Sequence, residues 1–265
     1  MWQKIFPTLI LVTLILASCS AKAPVSDPPD YWPSYSWRTS TPEEQGFDSA
    51  KLAEAVQTMR DTTKIHSLMI IRNSAVLLEA YFYPYDEGTV HELASVTKSV
   101  ITTLIGIAVD QGKLSLDQRM ISLFPNRTIA NQGLFKGFVK VKHLASMSSG
   151  LDCSSANDEE TLDEMSLSPD WVQFTLDLKV NHIPGTHYEY CSPGMHLLSA
   201  ILQEATGMTA LEFAQVNLFE PLGIQDVIWD LDPQGYNDGW AGLYLHPRDV
   251  AKLGYLMLHH GQWEG

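Results

Sequence analysis

Ser95-Val96-Thr97-Lys98 opens an apolar run, residues 99–108, and this stretch predicts a buried helix that begins near Ser95. Positions three apart share one face of a helix, so the Lys98 amine can reach the Ser95 hydroxyl. A serine becomes a strong nucleophile when a neighbouring base takes its proton, and a lysine is such a base where burial favours its neutral form. The alternative is a serine that only caps the helix beside a solvated lysine. Taken alone, the motif favours capping, because two fixed letters recur by chance.

The composition is that of a globular protein. The chain has 265 residues, 45% of them apolar and 18% charged, which is enough for one large domain or two small ones. Its formal charge of −14 argues against nucleic acid and against an anionic membrane surface as electrostatic partners. The nine histidines are scattered, and no group of His, Cys, Asp and Glu has the spacing of metal ligands. The sequence therefore predicts neither a nucleic-acid partner nor a metal site.

The first residues predict an export signal rather than part of the fold. A weakly basic start is followed by the apolar residues 5–16, and Leu16-Ala17-Ser18-Cys19 closes the segment. Its length is that of a signal peptide, over residues 1–18, and is too short to span a membrane. Its end resembles the lipobox of bacterial lipoproteins, which implies an acylated Cys19 and a lipid anchor in the bacterial cell envelope, at the outer membrane or the periplasmic face. The alternative is an ordinary secretory signal with an incidental cysteine.

The next segment predicts a tether that leads into a single folded unit. Residues 19–46 are rich in proline and aromatic residues, which suits an extension lying across the domain surface. The domain itself is expected over residues 47–265. It contains Cys153 and Cys191, which can pair in an exported protein or remain free, buried thiols. The sequence leaves both possibilities open.

The residue pattern predicts a helix and a hairpin before the Ser95 helix. Asp48 can cap the first helix, and strands over 67–72 and 75–83 are joined by the turn-like Asn73-Ser74. The Ser95 helix is expected to run to about Gln111, before Gly112. The rest is predicted to be mainly helical: over 139–149, from 169, over 194–205, after a capping box at 209–212, and over 247–259. Nothing after Gly112 supplies three good strands, so the sheet looks unfinished, because two strands alone are only marginally stable.

Two further stretches carry information beyond secondary structure. Tyr190 lies in residues 184–195, in a loop just before a predicted helix, where a tyrosine can relay a proton. Taken alone, Tyr190 is better interpreted as an ordinary half-buried aromatic residue. Residues 143–151, with the sequence HLASMSSGL, carry no chemistry of their own.

Together these three stretches resemble the serine β-lactamase-like family, which includes class C β-lactamases, D-Ala-D-Ala carboxypeptidases, esterases and 6-aminohexanoate-dimer hydrolases. Residues 95–98 match the S-x-x-K motif of lactamases and penicillin-binding proteins. Residues 143–151 are similar to the segment written hLLtHtSGl, and residues 184–190 to PG-x-x-f-x-Y. Residues 241–254 resemble the GGl-s-t-x-x-Dl segment, with Arg248-Asp249 matching. The resemblance covers residues 47–265 in the family's order.

The resemblance implies an α+β fold of the β-lactamase/transpeptidase type, an antiparallel sheet flanked by helices with a helical subdomain. It implies acyl transfer, in which Ser95 attacks a carbonyl, Lys98 and Tyr190 share the role of base, and the Ser95 backbone N–H binds the oxyanion in part. The substrate is a small or peptide-like amide or ester, and no metal or organic cofactor is implied.

The sequence departs from the family at Tyr190-Cys191-Ser192, where lactamases have Y-x-N. Ser192 is the expected substrate-binding residue, and its smaller side chain favours esters or linear amides over β-lactams. The Tyr-Cys-Ser form looks closest to the 6-aminohexanoate-dimer hydrolase branch. D-Ala-D-Ala carboxypeptidase or β-lactamase activity, and a catalytically silent envelope binding protein, are the alternatives.

The second departure concerns the third family motif, K-T-G or H-x-G on a late strand. Residues 259–261 fit H-x-G as letters, but they are interpreted as the end of a helix. In the related fold the late strands cover the nucleophile helix and supply a second oxyanion donor. We therefore expect the 265 residues to be a fragment that is poorly soluble and inactive when expressed alone.

Overall fold

The computed structural model describes residues 29–62, 64–153 and 159–264. The predicted signal peptide, Cys19 and the start of the predicted tether lie outside the described residues. No helix in the described part of the chain is long and apolar enough to cross a membrane.

The predicted hairpin forms the first sheet. Strands β2 (Ser67–Arg72) and β3 (Ala75–Tyr81) pair antiparallel, with Arg72 opposite Ala75. The turn residues Asn73 and Ser74 both have positive φ, 49° and 63°, which matches the twist of a two-residue hairpin. A short strand, β1 (Arg38–Thr39), joins the other edge of β3 in parallel, a pairing that the sequence did not predict. Helix α1 (Ser49–Thr62) follows β1, and the Asp48 carboxylate accepts hydrogen bonds from its first turn, as expected.

A second sheet was missed by the sequence reasoning. It consists of β4 (His91–Glu92), β5 (Ile228–Trp229) and β6 (Leu243–Leu245), antiparallel in the order β4-β6-β5. Strands of two or three residues are too short to show an alternating pattern, which is why the sequence pattern did not predict them. Because β4 ends just before Ser95, this sheet positions the start of the helix that follows Ser95.

Two long helices form the centre of the core. Helix α2 (Val96–Asp110) buries the apolar face predicted for it, including Ile101 and Leu104, and α6 (Ser192–Thr206) buries every residue from 192 to 202. Shorter helices surround this pair: α3 (Val141–Ala145), α4 (Glu160–Leu167), α5 (Trp171–Asp177), α7 (Ala210–Ala214) and α8 (Pro247–Leu258). The arrangement of antiparallel sheets flanked by helices confirms the predicted α+β class.

Most predicted helix boundaries hold. Asp170 caps α5, and Thr209 with Glu212 forms the expected capping box of α7. Helix α8 ends at Leu258, and residues 259–261 form a turn, which confirms that H-x-G here is a helix end. The helix predicted over 139–149 is shorter, because the chain leaves it after Ala145 and Met147 takes a left-handed φ of 51°.

The described part of the N-terminal extension lies against α8. The rings of Trp32 and Trp37 pack edge-on against Tyr255, with centroids 5.8 and 5.5 Å away. Cys153 and Cys191 form a disulfide, which settles the alternative that the sequence left open. This bond ties the loop before α4 to the residue that precedes α6.

Candidate active site

Ser95 is presented by a tight turn between β4 and α2. Ala94 has a φ of +44°, an uncommon conformation for a residue with a side chain, and its N–H donates to the Glu92 carboxylate at 2.8 Å. Leu93 is held to β6, since its N–H donates to the Leu243 carbonyl at 2.8 Å. Ser95 then occupies the cap position of α2 and is exposed. The nucleophile predicted from sequence is therefore accessible at the end of a fixed turn.

Lys98 lies one turn into α2 with its amine against Ser95. Its Nζ donates to the Ser95 Oγ at 2.9 Å and to the Trp240 carbonyl oxygen at 2.9 Å. The side chain is 5% exposed, so the interpretation of Lys98 as a solvated lysine does not hold. A buried lysine that touches an exposed serine is the arrangement that base-assisted nucleophilic attack needs.

Tyr190 reaches the same serine from the other side. Its hydroxyl donates to the Ser95 Oγ at 2.8 Å, and the Lys98 Nζ lies 4.9 Å from the centroid of its ring. Tyr190 precedes Cys191, whose Sγ accepts a hydrogen bond from the first turn of α6 and which the disulfide holds in place. The structure thus brings together all three residues for which the sequence predicted a catalytic role.

Residues 143–151 support the loop that carries Tyr190. The Glu189 N–H donates to the Met147 carbonyl at 2.9 Å, and the Gly185 N–H donates to the Ser148 carbonyl at 2.7 Å. Gly150 has a φ of +73°, and a Cβ there would lie 2.2 Å from the His182 carbonyl oxygen, so only glycine permits this approach. A stretch without chemistry of its own therefore fixes the path of the loop that carries Tyr190.

Ser192, the predicted substrate-binding residue, lies apart from these contacts. Its side chain is completely buried, and its hydroxyl donates to the Glu159 carboxylate at 2.6 Å. The described contacts do not join it to Ser95 or Lys98. Its role in substrate binding stays a prediction.

The sequence reasoning missed the partner that holds Lys98. This partner is the backbone carbonyl of Trp240, which no side-chain motif can reveal, although the neighbouring Ala241-Gly242 was part of a recognised segment. Glu92 was also missed. Its carboxylate accepts from the Ala94 N–H and, at 3.1 Å, from the Gly242 N–H, and so joins the turn before Ser95 to the segment after Trp240.

The site has the parts needed for acyl transfer. The Ser95 Oγ is bonded to two groups that can take and return a proton, and the Ser95 backbone N–H has no acceptor among the described residues, so it is free to bind an oxyanion. The described residues contain no group of three or more His, Cys, Asp or Glu side chains arranged to hold a metal ion.

A family model described as Beta-lactamase matches residues 52–259. The chain belongs to the beta-lactamase family. Its serine hydrolase relatives act on amides or esters. It is 23% identical over 227 residues to the 6-aminohexanoate-dimer hydrolase of Paenarthrobacter ureafaciens, covering 80% of this chain and 56% of that protein. It is 28% identical over 236 residues to the lovastatin esterase of Penicillium rubens, covering 81% and 58%.

Solved structures agree on the beta-lactamase fold. The octameric penicillin-binding protein homologue from Pyrococcus abyssi superposes with a TM-score of 0.62 at 22% identity, over 82% of this chain and 57% of that one. The chain thus spans little more than half the length of the relatives compared here.

Proposed function

We propose that this protein is a serine hydrolase in which Ser95 forms an acyl-enzyme with an amide or ester substrate. The observation that carries the proposal is the pair of hydrogen bonds to one exposed hydroxyl: Lys98 Nζ at 2.9 Å and Tyr190 OH at 2.8 Å. A structural lysine would not need to be buried against a serine that faces solvent. The family match supports the same chemistry.

In the acylation step, the Ser95 Oγ bonds to the carbonyl carbon while its proton passes to the pair formed by Lys98 and Tyr190. The carbonyl oxygen becomes an oxyanion, to which the Ser95 backbone N–H donates. When the intermediate collapses, the bond to the leaving amine or alcohol breaks, and the pair delivers the proton to that group. Water then attacks the carbonyl carbon of the Ser95 ester while the same pair takes its proton. The bond from that carbon to the Ser95 Oγ breaks, the pair returns the proton to Oγ, and the carboxylic acid product leaves.

The proposed substrates are esters or linear amides rather than β-lactams. The two curated relatives described above are by name a 6-aminohexanoate-dimer hydrolase and a lovastatin esterase, and neither name is that of a β-lactamase. Tyr190-Cys191-Ser192 also lacks the amide side chain of the lactamase motif. D-Ala-D-Ala carboxypeptidase or β-lactamase activity is the alternative, and a silent binding protein would keep the cleft without turnover.

The protein is proposed to act in a bacterial cell envelope, anchored through a lipid on Cys19. The proposal rests on the Leu16-Ala17-Ser18-Cys19 segment, and the Cys153–Cys191 disulfide supports it, since such bonds persist in oxidising compartments. Globomycin, which blocks lipoprotein signal cleavage, should cause the precursor to accumulate in a bacterial host. A mature soluble form that begins at another residue would contradict lipidation.

The test of the catalytic proposal uses the protein in its full-length form with a panel of p-nitrophenyl esters, linear amide dimers, D-amino-acid amides and nitrocefin. We expect turnover of esters or linear amides, labelling of Ser95 by a fluorophosphonate, and loss of both in Ser95→Ala. Ser122→Ala is the matched control, because Ser122 is an exposed hydroxyl outside the site segments and donates to the Arg119 carbonyl. Wild-type turnover in a folded Ser95→Ala variant would overturn the assignment.

The same panel separates the alternatives. Cleavage of nitrocefin or D-amino-acid amides alone would indicate the lactamase or carboxypeptidase activity. A Ser95 that neither reacts with the fluorophosphonate nor turns over any substrate would indicate the silent binding protein.

A further inference from the structure

A buried polar cluster lies behind the catalytic lysine. His196 of α6 is fully buried, and Asp232 and Asp238 are 5% and 6% exposed. The His196 Nε2 lies 3.0 Å from the Asp232 Oδ2, and both side chains are removed from solvent. Burying ionisable groups costs free energy, and replacing such a pair by apolar residues is often neutral or stabilising. A contribution to folding stability is therefore a weak explanation for why His196 and Asp232 are buried together.

The carboxylate of the pair is itself held firmly. The Asp232 Oδ1 accepts from the backbone N–H groups of Gln234 and Tyr236 at 2.8 and 2.9 Å, which leaves Oδ2 directed at His196. Burial raises the pKa of Asp232, but the hydrogen bonds from His196 and from these amides outweigh burial and lower it. Asp232 is thus a fixed, charged acceptor.

The other ring nitrogen of His196 meets the segment that leads to the active site. The Gly239 N–H donates to the His196 Nδ1 at 3.3 Å, and the Asp238 Oδ1 lies 3.8 Å from the same atom. In the neutral ring, with its proton on Nε2, Nδ1 accepts from Gly239. In the protonated ring, Nδ1–H faces the Asp238 carboxylate. In either state His196 ties residues 238–239 to α6.

Close packing fixes the same segment further. A Cβ at Gly239 would lie 2.4 Å from the Met195 carbonyl oxygen, so this backbone rests directly on α6. The Ser199 hydroxyl donates to the Asn237 carbonyl at 2.6 Å, and the Asp238 Oδ1 accepts from the Trp240 N–H at 2.9 Å. Trp240 therefore directly follows a segment, residues 237–239, that is held to α6 by hydrogen bonds and close packing.

The carbonyl of Trp240 is the acceptor of the Lys98 amine, at 2.9 Å. A shift of residues 238–240 away from α6 would move this acceptor and with it the lysine that contacts Ser95. Helix α6 also begins just after Tyr190, so one helix sets the positions of both groups that act on Ser95.

We propose that His196 and Asp232 are positioning residues for the reaction: through Gly239 they hold the Trp240 carbonyl at the place from which it directs the Lys98 amine to Ser95. The inference rests on the proposed function of Lys98 as part of the base. It differs from a purely structural role, because removing the pair should slow the chemical step even in a protein that stays folded.

The variants differ in which hydrogen bonds of His196 they keep. His196→Leu removes both hydrogen bonds, whereas His196→Gln retains a donor for Asp232 and an acceptor for the Gly239 N–H. In Asp232→Asn the side-chain NH2 faces the His196 Nε2, which must then accept a hydrogen bond. The ring proton therefore lies on Nδ1, where it opposes the Gly239 N–H. Tyr255→Phe is the matched control, because it removes a hydroxyl that bonds Ser74 and the Tyr31 carbonyl in a separate apolar cluster.

The first measurement is the rate at which Ser95 is acylated by a p-nitrophenyl ester, or phosphonylated by a fluorophosphonate, across pH. It uses full-length variants whose folding is verified by circular dichroism. A misplacement of about 1 Å can cost about 100-fold in rate. We therefore expect acylation by His196→Leu and Asp232→Asn to fall by about 10- to 100-fold, with a shifted pH profile and KM within about threefold of wild type. His196→Gln should recover most of the rate, and Tyr255→Phe should match wild type.

Folded His196→Leu with the wild-type rate and pH profile would overturn the inference. So would a loss in His196→Leu that His196→Gln does not restore. If wild-type Ser95 does not react at all, the proposed function fails, and a second measurement still decides the positioning role. This measurement is the NMR chemical shift of the Lys98 Cε across pH, in protein labelled with 13C-lysine and assigned by comparison with Lys98→Met. An unchanged Lys98 profile in folded His196→Leu would refute positioning, and a shifted profile that His196→Gln reverses would support it.

Discussion

At the scale of single residues, the site depends on a contrast in exposure. Ser95 faces solvent while Lys98, one helical turn away, is 5% exposed, so substrate can reach the hydroxyl but water has little access to the amine. Tyr190 completes the contacts of the same oxygen. The proton of Ser95 can therefore pass to either neighbour.

Lys98→Met and Tyr190→Phe should each lower the Ser95 acylation rate by about 10²- to 10⁴-fold, because each removes one of the two groups proposed to share the proton. Lys142→Met is the control, since Lys142 is an exposed lysine paired with Asp117. The rate is measured by the burst of p-nitrophenol from an activated ester. If either catalytic variant stayed within a few-fold of wild type, the shared-base proposal would be wrong for that residue.

His196 makes folding stability depend on pH. Burial lowers its pKa, but the hydrogen bonds and charges of Asp232 and Asp238 outweigh burial and raise it above the ordinary 6.5. The folded state then binds the proton more tightly than the unfolded chain does. Its contribution to stability is fully present below pH 6.5 and is lost as the pH rises through the folded pKa.

The free energy of unfolding of wild type should therefore exceed that of His196→Gln by more at about pH 6 than at about pH 9. Urea unfolding at both values measures this difference, and Tyr255→Phe should show no such trend between them. A difference that grows with pH would contradict the raised pKa.

At the scale of elements, side-chain caps define where several short helices begin. Thr209 is the clearest example: its hydroxyl accepts from the Glu212 N–H at 3.2 Å, and the Glu212 carboxylate accepts in return from the Thr209 N–H at 2.8 Å. Helix α7 has five residues and continues directly into a π-helical segment, Gln215–Phe219. A helical stretch this short has little stability of its own, so the cap matters to it.

Thr209→Ala should lower the free energy of unfolding by about 1 kcal/mol, the usual cost of losing a cap. Thr58→Ala is the matched control, since this hydroxyl on the exposed face of α1 bonds only the Glu54 carbonyl of its own helix. That variant should be neutral or slightly stabilising, because alanine favours helix. Chemical denaturation gives both values, and equal losses at the two sites would argue against the capping box.

At the scale of the whole molecule, the disulfide links the loop before α4 to the start of α6, and thereby to the Tyr190 side of the site. Its cysteines are 38 residues apart, and a loop of that length corresponds to about 4 kcal/mol of lost unfolded-state entropy. Cys153→Ala should lower stability by about 2–4 kcal/mol under oxidising conditions. It leaves in place the Cys191 Sγ that accepts from Gly194.

Unfolding in guanidinium with and without a reducing agent measures this contribution. Reduction should bring wild type close to Cys153→Ala. A wild-type protein whose midpoint does not change on reduction would show that the bond contributes nothing.

The local pattern of the sequence determined much of this protein. It was sufficient to predict the α2 helix with its buried face, the hairpin around Asn73-Ser74 and the caps at Asp48 and Thr209, because these depend on residues a few positions apart. The order of three motifs was sufficient to name Ser95, Lys98 and Tyr190 as a group. Each motif alone was ambiguous, and only their combination pointed to one family.

Tertiary structure decided the rest, because it depends on contacts between distant parts of the chain. The Trp240 carbonyl meets Lys98 across 142 positions, and β4 to β6 are strands only because they pair with one another. Whether Cys153 and Cys191 bond, and whether Ser192 is buried, are likewise set by how α6 lies against its neighbours. A backbone carbonyl has no letter in the sequence, so the Trp240 acceptor of the Lys98 amine could be found only in the folded chain.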